Sequence, residues 1–112
     1  MKLSRMIAWH AAVAVTAGFL LLPTISRADD AAAGLFKTKC AGCHGADGKG
    51  ETTMGKTLKL RDLASADVQK QSDADLTTLL SAGKNKMPAY GKSLSADQIK
   101  GLVGYVRSLG KK

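Results

Sequence analysis

Apolar positions along the chain recur at helical rather than strand intervals. The clearest run is "SADQIKGLVGYVRSLGKK", where Ile99, Leu102, Val103, Val106 and Leu109 follow the i, i+3, i+4, i+7 rule. Ser95 and Gln98 have the spacing of a capping box, and Gly110 with two lysines suits the C-terminal end. Gly101 and Gly104 fall on the opposite side of that helix. In "SDADLTTLLSAGK", Ser72 is placed to cap, Leu76, Leu79 and Leu80 share a face, and Gly83 can close the last turn. "DDAAAGLFKTKC" predicts a short helix opening at Asp29 or Asp30, and a fourth short helix fits Ser65 to Gln71. The stretch "GADGKGETTMGKTLKLRD", rich in Gly and Lys, reads as an irregular loop. β-branched residues never cluster in alternation, so the expected fold is all-α, with three to four short helices in one domain.

The N-terminal end belongs to a different class. Lys2 and Arg5 precede an apolar run from Ala11 to Leu22, Pro23 breaks it, and Ser26-Arg27-Ala28 offers small residues for cleavage. Residues 1–28 are expected to be a cleaved signal peptide, leaving a domain of residues 29–112. The alternative, a retained anchor, has an apolar core short of the ~20 residues that a bilayer needs. Removing Lys2, Arg5 and Arg27 from 17 basic residues leaves 14 against 9 acidic, a net +5. The exported part keeps one His, two Met, one Phe and two Tyr, and no Trp. A domain so short and so poor in aromatics gains from a staple or an apolar cofactor.

Candidate chemistry concentrates in "CAGCHG", which holds both cysteines and the single exported histidine, His44. A structural zinc site needs four N or S ligands, and no fourth thiolate or imidazole exists beside Cys40, Cys43 and His44. A redox dithiol of this spacing normally follows a strand, and no strand pattern precedes Cys40. Cys-x-x-Cys-His is also the attachment sequence for covalent haem. Residues three apart on a helical turn face one side, so both thiols can reach the two vinyl groups on one porphyrin edge. The histidine then lies under the iron. Export fits, because such attachment takes place outside the cytoplasm.

With the cysteines used as thioethers, the second axial position falls to Met87, Met54, another side chain or none. Met87 stands in "GKNKMPAYGK", between two helices and just before Pro88, which stops helix continuation. A ligand for the far face must pass round the macrocycle edge. Met87, 43 residues beyond His44, has more freedom to do so than Met54, ten residues beyond it. Met87 is therefore the expected ligand and Met54 a packing residue beside the haem.

With "CAGCHG", "KNKMPAYGKSL" and the C-terminal helix in view, residues 31–110 resemble a class I c-type cytochrome of the short bacterial periplasmic, mono-haem kind. The resemblance implies one haem c, with Cys40 and Cys43 as thioether anchors and His44 and Met87 as axial ligands. It implies helices wrapped round that haem, the first and last crossing, with Phe36 packed against Leu102 and Tyr105 at the crossing. Ala32 replaces a glycine that many relatives carry eight residues before the first cysteine. Thr53 falls where many carry a proline whose carbonyl accepts the bond from the histidine Nδ1.

The expected function is a soluble periplasmic one-electron carrier and not an enzyme. A haem-based sensor of diatomic gases and a cytochrome subunit of a larger redox complex are the alternatives. An apolar shell of Leu58, Leu60, Leu63, Leu76, Leu80, Leu94 and Leu102 is expected round the haem. Lys37, Lys39, Lys49, Lys56, Lys84, Lys86 and Lys92 flank the haem-binding segments. They form either a solvated face or a rim that steers docking to acidic patches on redox partners. Nucleic acid is not an expected partner, because aromatics do not interleave with the basic residues. Nor is stable membrane insertion after cleavage; a monomer is expected.

Overall fold

The computed structural model describes residues 12–14, 16–18 and 27–111. Most of the segment read as a signal peptide, residues 1–28, lies outside the described residues. Helix α1 (Arg27–Leu35) runs directly into a π-helical segment (Phe36–Cys40) and then into α2 (Ala41–His44), making one continuous helical body. It opens two to three residues before the expected start. Two short helices follow, α3 (Thr53–Thr57) and α4 (Ala66–Gln69), and then α5 (Asp73–Ala82) and α6 (Ala96–Leu109). Among the described residues the fold is helical without strands, in five separate bodies.

Local signals set most of these boundaries. The Ser72 hydroxyl accepts from the Asp75 N–H at 3.0 Å to open α5. Ser95 accepts from the Gln98 N–H at 3.1 Å while its own N–H donates to the Gln98 Oε1 at 2.8 Å, a complete capping box for α6. The fifth body, α3, departs from the loop expected there. Thr52 caps it, its hydroxyl accepting from the Gly55 N–H at 2.8 Å and donating to the Cys43 carbonyl at 2.6 Å. That pair of bonds folds the Gly-rich stretch back onto α2, and a single helical turn is the shape that satisfies it.

The core forms where α1 lies across α6. Phe36 and Leu102 are 2% and 1% exposed, and the rings of Phe36 and Tyr105 stack tilted with centroids 4.7 Å apart. The packing anticipated at this crossing is therefore present. Gly101 was placed away from the packed face, and its position in the fold corrects that. A Cβ built on it would stand 3.4 Å from the Cβ of buried Ala32, so both helices contribute a small residue at their closest approach. Gly104 has nothing near it and remains on the open side.

Polar side chains tie α6 to the middle of the chain. Gln69 Nε2 donates to the carbonyls of Leu63 at 2.8 Å and Val106 at 2.9 Å. Arg107 donates to the carbonyls of Gln69 (2.8 Å) and Gln71, and its Nε to Asp73 Oδ1 at 2.9 Å. Together they hold the α4–α5 turn against α6, on one wall of the cleft described next.

Candidate haem site

The π-helical segment leads into the candidate attachment residues. The N–H of Ala41 donates to the carbonyl of Phe36, a bond one residue wider than the α-helical one. The Thr38 hydroxyl donates to the Gly34 and Leu35 carbonyls at 3.1 and 3.2 Å, close to where the ladder changes pitch. Phe36 turns into the core, and Cys40 into the head of α2. Behind α2 the chain is held tightly, with Gly50 N–H donating to the His44 carbonyl at 2.7 Å. A Cβ on Gly55 would collide with the carbonyls of Gly50 and Cys43, so α3 can approach α2 this closely only with glycine there.

Met87 is positioned by a different device. Lys84 and Met87 exchange backbone hydrogen bonds of 3.2 and 2.9 Å across a tight turn with Asn85 in the left-handed region (φ 55°). Beyond Pro88 the chain returns to α5, where Tyr90 N–H donates to the Leu80 carbonyl (2.9 Å) and Gly91 N–H to that of Ser81 (3.0 Å). The Tyr90 hydroxyl then donates to the Lys39 carbonyl at 3.2 Å, joining the Met87 loop to the segment that carries the cysteines. Burial, and after it the neighbouring Cys40 and Cys43, raises the Tyr90 pKa and keeps the phenol a donor.

These devices bring Cys40, His44 and Met87 to the wall of one cleft of about 400 Å³. That volume lies within the ~300–1,000 Å³ usual for cofactor and ligand sites. Cys43 sits on the same helical turn but is exposed, and both thiols are free. Leu58, Leu60, Leu63, Leu76, Leu80 and Leu102 supply apolar wall, as expected. Leu94 does not; it is buried against Ile99 on the other side of α5. Phe36, Val68, Leu79, Val103 and Val106 complete the apolar lining. The spacing of Val103 and Val106 on the α6 face could have pointed to those two. Met54 is 49% exposed and does not line the cleft, so it is not the packing residue that was expected.

The donor set fits a haem. His44 is half-buried, and its desolvation lowers the imidazole pKa, which favours the neutral ring that ligates iron. Its Nδ1 is buried with no hydrogen-bond partner among the described residues. Thr53, expected to stand in for a carbonyl acceptor, is engaged elsewhere, its carbonyl accepting from the Thr57 hydroxyl at 2.9 Å. Burial pushes the Cys40 thiol up, the opposite of the depressed pKa that activates a redox dithiol.

The basic rim is narrower than the sequence suggested. Of the seven lysines named, only Lys84 and Lys86 line the cleft, and they are joined by Lys59 and Arg61, which sequence reasoning did not single out. The other five are exposed elsewhere.

Comparison with known proteins places the chain among cytochromes. The profile of the family described as "Cytochrome C oxidase, cbb3-type, subunit III" matches residues 27–106. A cytochrome c6 of Rippkaea orientalis is 42% identical over 89 residues, covering 78% of each chain. A cytochrome c6 of Microcystis aeruginosa is 36% identical over 80 residues, covering 71% of this chain and 95% of its own. Among solved structures, the KustC0563 c-type cytochrome superposes with a TM-score of 0.65 at 31% identity, covering 70% of this chain and 95% of that one.

Proposed function

The chain belongs to the class I c-type cytochromes, and from that premise we propose that it shuttles single electrons through a haem held by Cys40, Cys43, His44 and Met87. It is an electron carrier, not an enzyme, and its cofactor is one covalent haem c. Cys40 and Cys43 would form the thioether bonds, and His44 and Met87 would ligate the iron. When bound, the haem supplies an iron that cycles between Fe(II) and Fe(III).

This chain's residues set the conditions for that cycle. An imidazole nitrogen and a neutral, soft thioether sulfur favour Fe(II) more than two nitrogens do, which raises the potential. The leucine and valine walls exclude water and act in the same direction, because extra positive charge is disfavoured in a low dielectric. With His44 and Met87 both ligating the iron, a diatomic gas would have no free coordination site, and the carrier reading is preferred to the sensor. The reading as a subunit of a larger complex draws on nothing in this chain beyond the description of the matched family.

One observation carries the proposal: Met87, 43 residues beyond His44 in sequence, lines the same cleft as Cys40 and His44. Expression in a host competent in cytochrome maturation tests it. A red protein heavier than the polypeptide by one haem, low-spin in both oxidation states and inert to CO, is expected. A colourless product of bare polypeptide mass would overturn it.

The finer assignments belong to the same proposal. Residues 1–28 act as an export signal and the mature protein, from residue 29, works in the periplasm as a monomer. No helix among the described residues is long and apolar enough to cross a membrane. Intact mass of the periplasmic product checks the cleavage point. Lys84 and Lys86, next to Met87 at the cleft, supply the cationic side that meets acidic patches on redox partners. Electron-transfer rates that fall as ionic strength rises would support this docking, and flat rates would remove it.

A further inference from the structure

A histidine that ligates a metal is ordinarily held in one orientation by a partner on its second ring nitrogen. Among the described residues the buried Nδ1 of His44 meets no such partner. The hold on this residue comes from its backbone instead.

α2 is a single turn, and the carbonyls of Cys43 and His44 at its end need partners from outside the helix. The loop that follows supplies both. The Thr52 hydroxyl donates to the Cys43 carbonyl at 2.6 Å, and the Gly50 N–H to the His44 carbonyl at 2.7 Å. These two carbonyls belong to the peptide planes on either side of the His44 Cα. Both planes are therefore anchored, and with them the direction in which the imidazole leaves the chain. Gly50 acts through its main chain; among the described residues Thr52 is the only side chain hydrogen-bonded to α2.

Thr52 is itself fixed on several sides. Its oxygen accepts from the Gly55 N–H at 2.8 Å, so its one hydroxyl proton is committed to Cys43. Hydrogen bonds linked in this way strengthen one another. The Thr52 methyl lies beside the other neighbour of His44, 3.8 Å from where a Cβ on Gly45 would stand. A Cβ on Gly55 would stand 2.7 Å from the Cys43 oxygen, so that oxygen has little room to move.

We propose that Thr52 is a positioning residue for the axial histidine, setting the plane of the His44 imidazole through the peptide that joins Cys43 to His44. The inference rests on the haem reading above and deepens it, from which side chain ligates the iron to what orients that ligand. The ring plane has a direct electronic consequence. Imidazole π orbitals overlap the iron d orbitals in one direction, which decides how unpaired spin of Fe(III) spreads over the porphyrin.

Proton magnetic resonance of the ferric holoprotein reads that spread in the haem methyl signals. Thr52→Val keeps the shape and removes both bonds, and is expected to change the order or spacing of those signals. Thr52→Ser keeps the hydroxyl and should retain the wild-type pattern. Thr57→Val removes a hydroxyl that bonds the Thr53 carbonyl at 2.9 Å, which weakens α3 without touching α2. It should leave the pattern in place. An unchanged pattern in Thr52→Val, an equal change in Thr52→Ser, or the same change in Thr57→Val would overturn the proposal. Should Thr52→Val yield no holoprotein, the wild type decides: a Thr52 hydroxyl proton slow to exchange with water supports the clamp, and one that exchanges freely overturns it. The haem reading fails separately, if the wild-type protein carries no haem.

Discussion

At the scale of single residues, the two methionines separate what spacing could reveal from what it could not. Met87, ahead of a proline and beyond the end of α5, could be read as a candidate ligand because its segment had reach and could not be helical, and it lines the cleft. Met54 was misjudged: its position in a Gly-rich stretch gave no sign that Thr52 would cap a helical turn and leave the thioether in solvent. Met87→Ala is expected to abolish the low-spin six-coordinate spectrum and the band near 695 nm of the ferric form. Met54→Ala should leave both intact, and visible spectra of the two holoproteins are a sufficient check. The partner of His44 Nδ1 was not legible either. A proline would have marked its own carbonyl, whereas any residue can offer one, and no carbonyl among the described residues meets the ring nitrogen.

Among the elements, the caps and apolar faces of α5 and α6 could be read directly, because a hydroxyl three residues before an amide is a local signal. The π-helical segment and the bond from Tyr90 to Lys39 could not. The first depends on how Phe36 and Cys40 are both satisfied, and the second joins residues 51 apart in sequence. Tyr90→Phe removes a single neutral hydrogen bond, worth about 0.5–1.5 kcal/mol. Global stability should fall by no more than that. The Met87 loop, however, loses a side-chain tie to the helical body that carries the cysteines. The variant is therefore expected to lose its 695 nm band at a lower temperature than the wild type, well before helical circular dichroism melts. Simultaneous loss of the two signals, as in the wild type, would show that the tie does not act on Met87.

For the molecule as a whole, fold class followed from helical periodicity and the crossing of α1 with α6 from the family resemblance, but the polar fastening of α6 to the α4–α5 turn followed from neither. Arg107 has no distinguishing pattern in the sequence. In the fold it satisfies the carbonyls of Gln69 and Gln71, and its side chain is only 24% exposed. Arg107→Met keeps the apolar stem and strands those carbonyls, at about 3–6 kcal/mol for two lost charge-assisted bonds. Asp73→Asn touches only the exposed half of the same cluster and should cost under ~1 kcal/mol. Thermal melts of the two holoproteins distinguish these outcomes; equal losses would mean that the ion pair, not the carbonyl bonds, holds the turn.

The wide turn ahead of the cysteines also carries a message about tolerated changes in chain length. A π segment contains one residue more than an α-helix needs to join the same two flanks. Excising Thr38 would let the ladder close at ordinary pitch while Phe36 and Cys40 keep their bearings. Deletion of both Thr38 and Lys39 would instead swing the downstream residues by roughly 100° about the axis. Haem yield per polypeptide is expected to survive the first shortening and collapse with the second. The spare residue would then be an indel buffer, a place where the sequence can lose a codon and still keep its colour.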